Sequence, residues 1–291
     1  MSHIGENNMS KIKIVGDSTL DLSKELYEKY DMDILPLNVT FGQETFKDGV
    51  TITRDQLYKD VEKYKSLPAT SAPGPQAFEE VFRKWLDQGY EVIYIGIGST
   101  LSTAFQSANI AKNSIDSDKI HLVDSKNLSS GSGLLALKAG KLIKEGKSAA
   151  EIVKILEKDV PNIVAQFNVE TLDYLHKGGR CSGTAKVLGH LLHIRPHILV
   201  KDGKLIVYKK PRGNMKVAIE GQIEELKNAL PNVQMDNIMI TDSGVTPEIR
   251  DYFVKQVSKY VDPKIIRTTP AGCVIASHCG PGTIGLLFIK D

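Results

Sequence analysis

A chain of 291 residues exceeds one compact domain of ordinary size, so two α/β domains with a ligand cleft between them are expected. Its 37 basic and 35 acidic side chains leave a net charge of +2 and form no basic block, which argues against nucleic acid as a partner. Cys181, Cys273 and Cys279 are odd in number and lack C-x-x-C spacing, and no apolar run approaches the roughly 18 residues of a membrane span, so a disulfide framework and a transmembrane anchor are both disfavoured.

Residues 1–10 carry no hydrophobic segment and are expected to be a loose leader or a cloning remnant of a cytoplasmic protein. From residue 11 the pattern predicts a strand at 11–15, a helix at 22–30 and a strand at 32–40. Helices at 54–65 and 75–88 follow, then a strand at 91–97, a helix at 102–113, a strand at 119–123 and a helix at 131–145. The punctuation agrees: Thr53 to Gln56 and Ser148 to Glu151 have capping-box spacing, Pro75 suits a first helical turn, and Gly89 suits a C-terminal stop. Such alternation implies a mostly parallel sheet covered on both faces.

After about residue 160 the pattern changes. "NIVAQFNV" and "PHILVKDGKLIVYKK" read as strands, the second a hairpin turning at Asp202-Gly203, and helices are expected at about 213–229 and 246–260. The fold class is therefore α/β with two domains: an N-terminal mostly parallel α/β/α sheet domain over 11–160, and a C-terminal mixed α+β domain over 161–291 whose final strand is free to return to the interface.

"GSTLSTAFQSA", 98–108, sets Ser99, Thr100, Ser102 and Thr103 between an apolar strand and a small-residue helix. That is the carboxyl edge of the sheet, where open α/β sheets bind ligands, and amides of a helix start together with hydroxyls suit an anion. Helix capping is the plainer use of the same hydroxyls. No G-x-S-x-G elbow marks a nucleophile. "LPATSAPGPQ", 67–76, offers Thr70 and Ser71 on a backbone stiffened by three prolines. "GSGLLA", 131–136, is read as close helix packing, since the strand before it ends seven residues early for a dinucleotide turn. His190, His193 and His197 are not expected to converge on a metal, because Pro196 should end a helix before His197. His278 precedes the glycine-rich "CGPG", where it could donate a proton, bind an anion or cap the turn, and Lys177 and Arg180 follow a helix end as surface cations.

Taken in order, "GDSTLDL", "PATSAPGP", "GSTLSTAFQSA", "DSKNLSSGSG", "YLHKGGRCSG" and "HCGPGTIGLLF" resemble the DegV family of fatty-acid-binding proteins from about residue 11 to 290. The resemblance implies a two-domain fold with a long-chain fatty acid, such as palmitate, buried in a tunnel. It also implies a role like that of the FakB carriers, which present the acid to a separate ATP-dependent fatty acid kinase for lipid synthesis. On motif positions, Thr70, Ser102 and His278 match the residues around the carboxylate, with Ser71, Ser99 and Thr100 in support, and Arg180 and Arg212 are candidates for docking the kinase. No catalytic residue, metal or cofactor beyond the bound acid is implied, and transient contact with a membrane surface is compatible with such a role. The chain departs from the common "SSGLSGT" by having Gly98, Thr100 and Thr103, and from "TSQPSP" by "TSAPGP"; a Cβ at position 100 would reshape the turn if glycine's φ were needed there. Two readings stay beside the carrier: a serine-dependent acyl-transfer enzyme with Ser99 or Ser102 as nucleophile and His278 as base, and a binding module for another amphipathic anion.

Overall fold

The computed structural model describes residues 11–181 and 193–291. Four strands, β1 (Lys11–Asp17), β2 (Asp33–Leu35), β6 (Tyr90–Gly96) and β7 (Ile120–Asp124), form a wholly parallel sheet in the order β2-β1-β6-β7. The pleat of β6 sorts its side chains: Val92 and Tyr94 pack toward α3 (Pro75–Leu86) and α4 (Ala104–Ile115), Ile93 and Ile95 toward α5 (Ser130–Lys144) and α6 (Ala149–Asp159). The capping box at Ser148 and Glu151 forms in full, whereas Gln56 turns its amide to Asp60 and leaves Thr53 as a single cap of α2 (Arg54–Tyr64).

The second sheet has six strands in the order β10-β9-β8-β13-β11-β12: β8 (Ile163–Asn168), β9 (His197–Lys201), β10 (Lys204–Lys209), β11 (Ile238–Ser243), β12 (Ile266–Pro270) and β13 (Thr283–Ile289). Only β11 and β12 run parallel; every other neighbouring pair is antiparallel. The closing strand sits in the middle of this sheet, with Ile284, Leu286 and Phe288 against α8 (Met215–Ala229) and α9 (Pro247–Val257), while Leu287 and Ile289 meet α5. Thus α5 fills the space between the sheets, and its Gly133 lies where a Cβ would come within 2.6 Å of Leu20 O, which accounts for "GSGLLA" as close packing.

The expected strand at 32–40 is corrected by the structure. It breaks at Pro36, and Asn38–Phe41 leaves the parallel sheet as β3, pairing with β4 (Glu44–Lys47) and β5 (Ala69–Ser71) in a three-stranded antiparallel sheet of order β4-β3-β5. Proline lacks the N–H that would carry the first ladder onward. The proline-stiffened stretch "LPATSAPGPQ" therefore holds a strand at Ala69–Ser71. The small sheet packs Leu37, Val39 and Phe41 on α10 (Cys273–Cys279), so elements from the two ends of the chain share one cluster.

Candidate functional site

A cavity of about 640 Å³ opens where the carboxyl ends of the parallel strands meet α10, β5 and the β9–β10 hairpin. It is within the range of small-molecule pockets. Thr70, Ser71, Ser99, Thr100, Ser102, Arg180 and His278 all line it. Arg212 does not; it is exposed just before α8 and bridges Ile194.

The hydroxyls divide by what they already bond. Ser99 donates its proton to Asp124 Oδ2 at 2.6 Å and its backbone N–H to Oδ1 at 3.0 Å, and Thr100 donates to Gly203 O at 2.5 Å. Both are therefore fasteners: one ties the turn to the end of β7, the other ties it to the hairpin of the second sheet. Ser102 Oγ accepts from Ala104 N at 3.2 Å, which leaves its proton to donate into the cavity. Ser71 Oγ accepts from the Asn38 amide. The family departures fit without strain at Thr100, whose φ is not positive; Gly98 is the tight position, since a Cβ there would come within 2.8 Å of Asn127 N and Lys126 Cα.

Thr70 Oγ1 and His278 Nε2 are 2.8 Å apart, joining β5 to α10 across 208 positions of sequence. His278 Nδ1 is buried without a hydrogen-bond partner and faces Gly178, where a Cβ would come within 2.3 Å of it. Burial, and secondly the Arg180 guanidinium, push the His278 pKa down to about 4. The ring is neutral at physiological pH. His278 is bonded to Thr70, and neither Ser99 nor Ser102 makes a hydrogen bond to it among the described residues.

Apart from Thr103 and Lys204, the rest of the lining carries apolar or small side chains, including Leu37, Ile97, Leu101, Leu205 and Val274. Leu128 and Ile275 also line a smaller, almost wholly apolar pocket of about 40 Å³ that runs in toward Phe167, Val200 and Leu287. These walls escaped sequence reading because they come from many separate elements. Lys204 escaped it too, and stands with Arg180 as the two cationic side chains on the lining among the described residues. Of the three histidines weighed for a metal, His197 is buried on β9 against Gln166, His193 is exposed, and His190 lies outside the described residues. Among the described residues no group of three or more His, Cys, Asp or Glu is placed to hold a metal ion, and no helix is long and apolar enough to cross a membrane.

The family model of DegV, described as an uncharacterised protein family, matches residues 11–291. The chain belongs to the DegV family. A DegV domain-containing protein of Clostridium acetobutylicum is 36% identical over 284 residues, covering 97% of this chain and 99% of that relative. A fatty acid-binding protein of Thermotoga maritima is 33% identical over 288 residues, covering 94% and 96%. Among solved structures, a DegV family protein of Thermus thermophilus described by its fatty acid binding superposes with a TM-score of 0.89 at 29% identity, covering 97% of this chain and 100% of that one. A stearic acid-binding protein of Eubacterium ventriosum superposes with a TM-score of 0.84 at 30% identity, covering 96% and 98%. The α/β architecture of one parallel and one mixed sheet is that of these DegV structures.

Proposed function

We propose that this protein is a carrier of long-chain fatty acids that buries the acyl tail and presents the carboxylate to a separate fatty acid kinase. The observation that carries the reading is the Thr70–His278 pair at 2.8 Å on the wall of a cavity whose remaining surface is largely apolar and leads toward a deeper apolar pocket. The fatty-acid-binding relatives support the same reading.

The chemistry follows from which protons are uncommitted. If neutral His278 donates its Nε2 proton to Thr70 Oγ1, the threonine hydroxyl is turned outward as a donor, and Ser102 supplies a second one. Two neutral donors then hold the carboxylate by hydrogen bonds to its oxygens, with no cation bonded to Thr70, Ser102 or His278 among the described residues, which leaves those oxygens nucleophilic toward a phosphoryl group. Arg180 and Lys204, on the same lining, are placed to meet the phosphate of a docked kinase, and Arg212 extends the cationic surface away from the cavity. The polypeptide itself carries no catalytic step in this reading.

Affinity and position are separate tasks. At about 0.8 kcal/mol per buried methylene, a tail of roughly 14 methylenes contributes on the order of 11 kcal/mol before association costs, against about 1–3 kcal/mol for each hydroxyl contact to a charge. The tail sets retention and the hydroxyls set geometry. Mass spectrometry of organic extracts of the purified protein tests the reading: a stoichiometric free fatty acid is expected. A covalent acyl-serine would replace the carrier with the acyl-transfer enzyme, and a different bound anion would replace it with the general binding module.

A further inference from the structure

We propose that Asp21 and Asp48 are positioning residues for the head-group pocket, holding α10 by its N-terminus so that His278 meets Thr70. The proposal rests on the reading of Thr70 and His278 as the carboxylate site. The three amides that open α10 are taken by these two side chains: Gly272 N donates to Asp21 Oδ1 at 2.8 Å, Cys273 N to Asp48 Oδ1 at 2.7 Å, and Val274 N to Asp48 Oδ2 at 3.2 Å. Both carboxylates come from the first 48 residues, whereas α10 lies more than 220 positions later. Each is held in turn, Asp21 by the Ser129 hydroxyl at 2.5 Å and Asp48 by the Ser18 hydroxyl at 3.0 Å.

The second half of the argument is that Asp48 and Thr70 belong to one small sheet. Asp48 directly follows β4 and donates its own N–H to Leu37 O, and Thr70 sits on β5, with β3 between them. That sheet therefore grips α10 twice, at the N-terminal amides through Asp48 and near the C-terminus through Thr70 and His278, with Val39, Val274 and Ala276 packed between. A helix of seven residues is only about 10 Å long and moves as a unit, so a loss at one end is transmitted to the other. Burial raises the proton affinity of both carboxyls, and the backbone N–H groups of α10 and the serine hydroxyls that they accept from act in the opposite direction. The charged or titratable groups facing this arrangement are Asp17, Lys24, Tyr27, Arg54, Asp55 and Cys273 around the carboxylates, and Arg180, Tyr174 and Cys279 around His278.

The test reads His278 directly. In purified, delipidated full-length protein, the imidazole Cε1–H resonance, assigned by its loss in H278N, is followed through about pH 3 to 8. Wild type is expected to titrate near 4. D48N puts an amide NH₂ where a carboxylate oxygen accepts a backbone N–H, and D21A removes the acceptor of Gly272 N, so α10 shifts, the Thr70 bond opens, water reaches the ring, and the midpoint rises toward the ordinary value of about 6.5. F253L, a core change in the α8–α9 cluster that contains no α10 residue, loosens the protein without moving this midpoint. Should neither aspartate variant accumulate folded, S18A, which removes only the hydroxyl holding Asp48 and capping Leu37 N, shifts the midpoint in the same direction. An unmoved midpoint in whichever of the three variants fold, or an equal shift in F253L, overturns the proposal. The measurement uses no acyl ligand, so failure to find a fatty acid in extracts and failure of this clamp are separate results.

Discussion

Replacing Thr70 by valine keeps the shape of the β5 side chain and removes one hydroxyl. That hydroxyl is the hydrogen-bond partner of His278 Nε2, and Nδ1 has none, so T70V leaves a largely buried imidazole with no bond at either nitrogen. Stranding such a group costs about 1–3 kcal/mol of stability, which a protein with cores this extensive should survive. For the ligand, losing one donor to a carboxylate costs about 1.5–3 kcal/mol against a tail contribution on the order of 11 kcal/mol, so affinity falls roughly ten- to hundred-fold while the acid stays bound at working concentrations. Transfer of phosphate should fall further, because a misplaced nucleophile forfeits alignment, where about 1 Å is worth on the order of a hundredfold. The assay pairs the fatty acid content of the purified variant with the turnover of bound acid by a partner kinase. S102A is expected to behave alike, since its proton is the other uncommitted donor on the cavity wall. Folded T70V that purified empty, or that turned over like wild type, would refute the division between tail and head group.

Four further outcomes follow from the same geometry. G178A places a methyl within 2.3 Å of His278 Nδ1, so the ring must move; kinase-coupled turnover should fall at least tenfold while circular dichroism stays native, and unchanged turnover would mean that His278 does not position the acid. T100G loses the 2.5 Å bond to Gly203 and gains backbone freedom, for about 1.5–2 kcal/mol of lost stability in chemical denaturation, and no loss would deny Thr100 its role between the two sheets. His278 and His197, both pushed by burial to about 4, bind protons less readily folded than unfolded, so each withdraws up to about 3 kcal/mol of stability as pH falls from about 6.5 to 4; NMR midpoints at the ordinary histidine value would refute this. R180A and R212A are each expected to raise the carrier concentration that half-saturates the kinase and to weaken its salt dependence, R180A more strongly because it lines the cavity, whereas identical saturation curves would leave both arginines as ordinary surface residues.

Much of the candidate site was legible because short polar turns after apolar strands are local signals. Ser102 stands in such a turn, whereas Thr70 on β5 and His278 on α10 were marked by the prolines and glycines beside them, and the structure brings all three to one cavity. What could not be read was the division of labour among the hydroxyls. Ser99 and Thr100 look equivalent to Ser102 in sequence, yet Asp124 and Gly203 take their protons. The aspartates of "GDSTLDL" were passed over entirely. Asp17 accepts from Ile97 N at 3.0 Å and Asp21 from Gly272 N at 2.8 Å, so that motif anchors two of the site's loops. Three polar residues packed into a buried turn after a strand were the available hint.

The chain alone determined the features whose causes lie within a few residues. The alternation of Val92, Ile93, Tyr94 and Ile95 sets two faces on β6; Ser148 and Glu151 start α6; Asp202 and Gly203, with φ of 50° and 73°, turn the β9–β10 hairpin as their types prefer. Only the tertiary structure decided that β3 would abandon the parallel sheet at Pro36, that Thr70 would lie on a strand, and that the opening amides of α10 would be closed by carboxylates more than 220 positions away. The physical reason is that local steric preference and periodicity act over a turn or a pleat, whereas which strand edge, helix end and carboxylate satisfy one another is settled by burial, where every polar group must find a partner regardless of its distance in sequence.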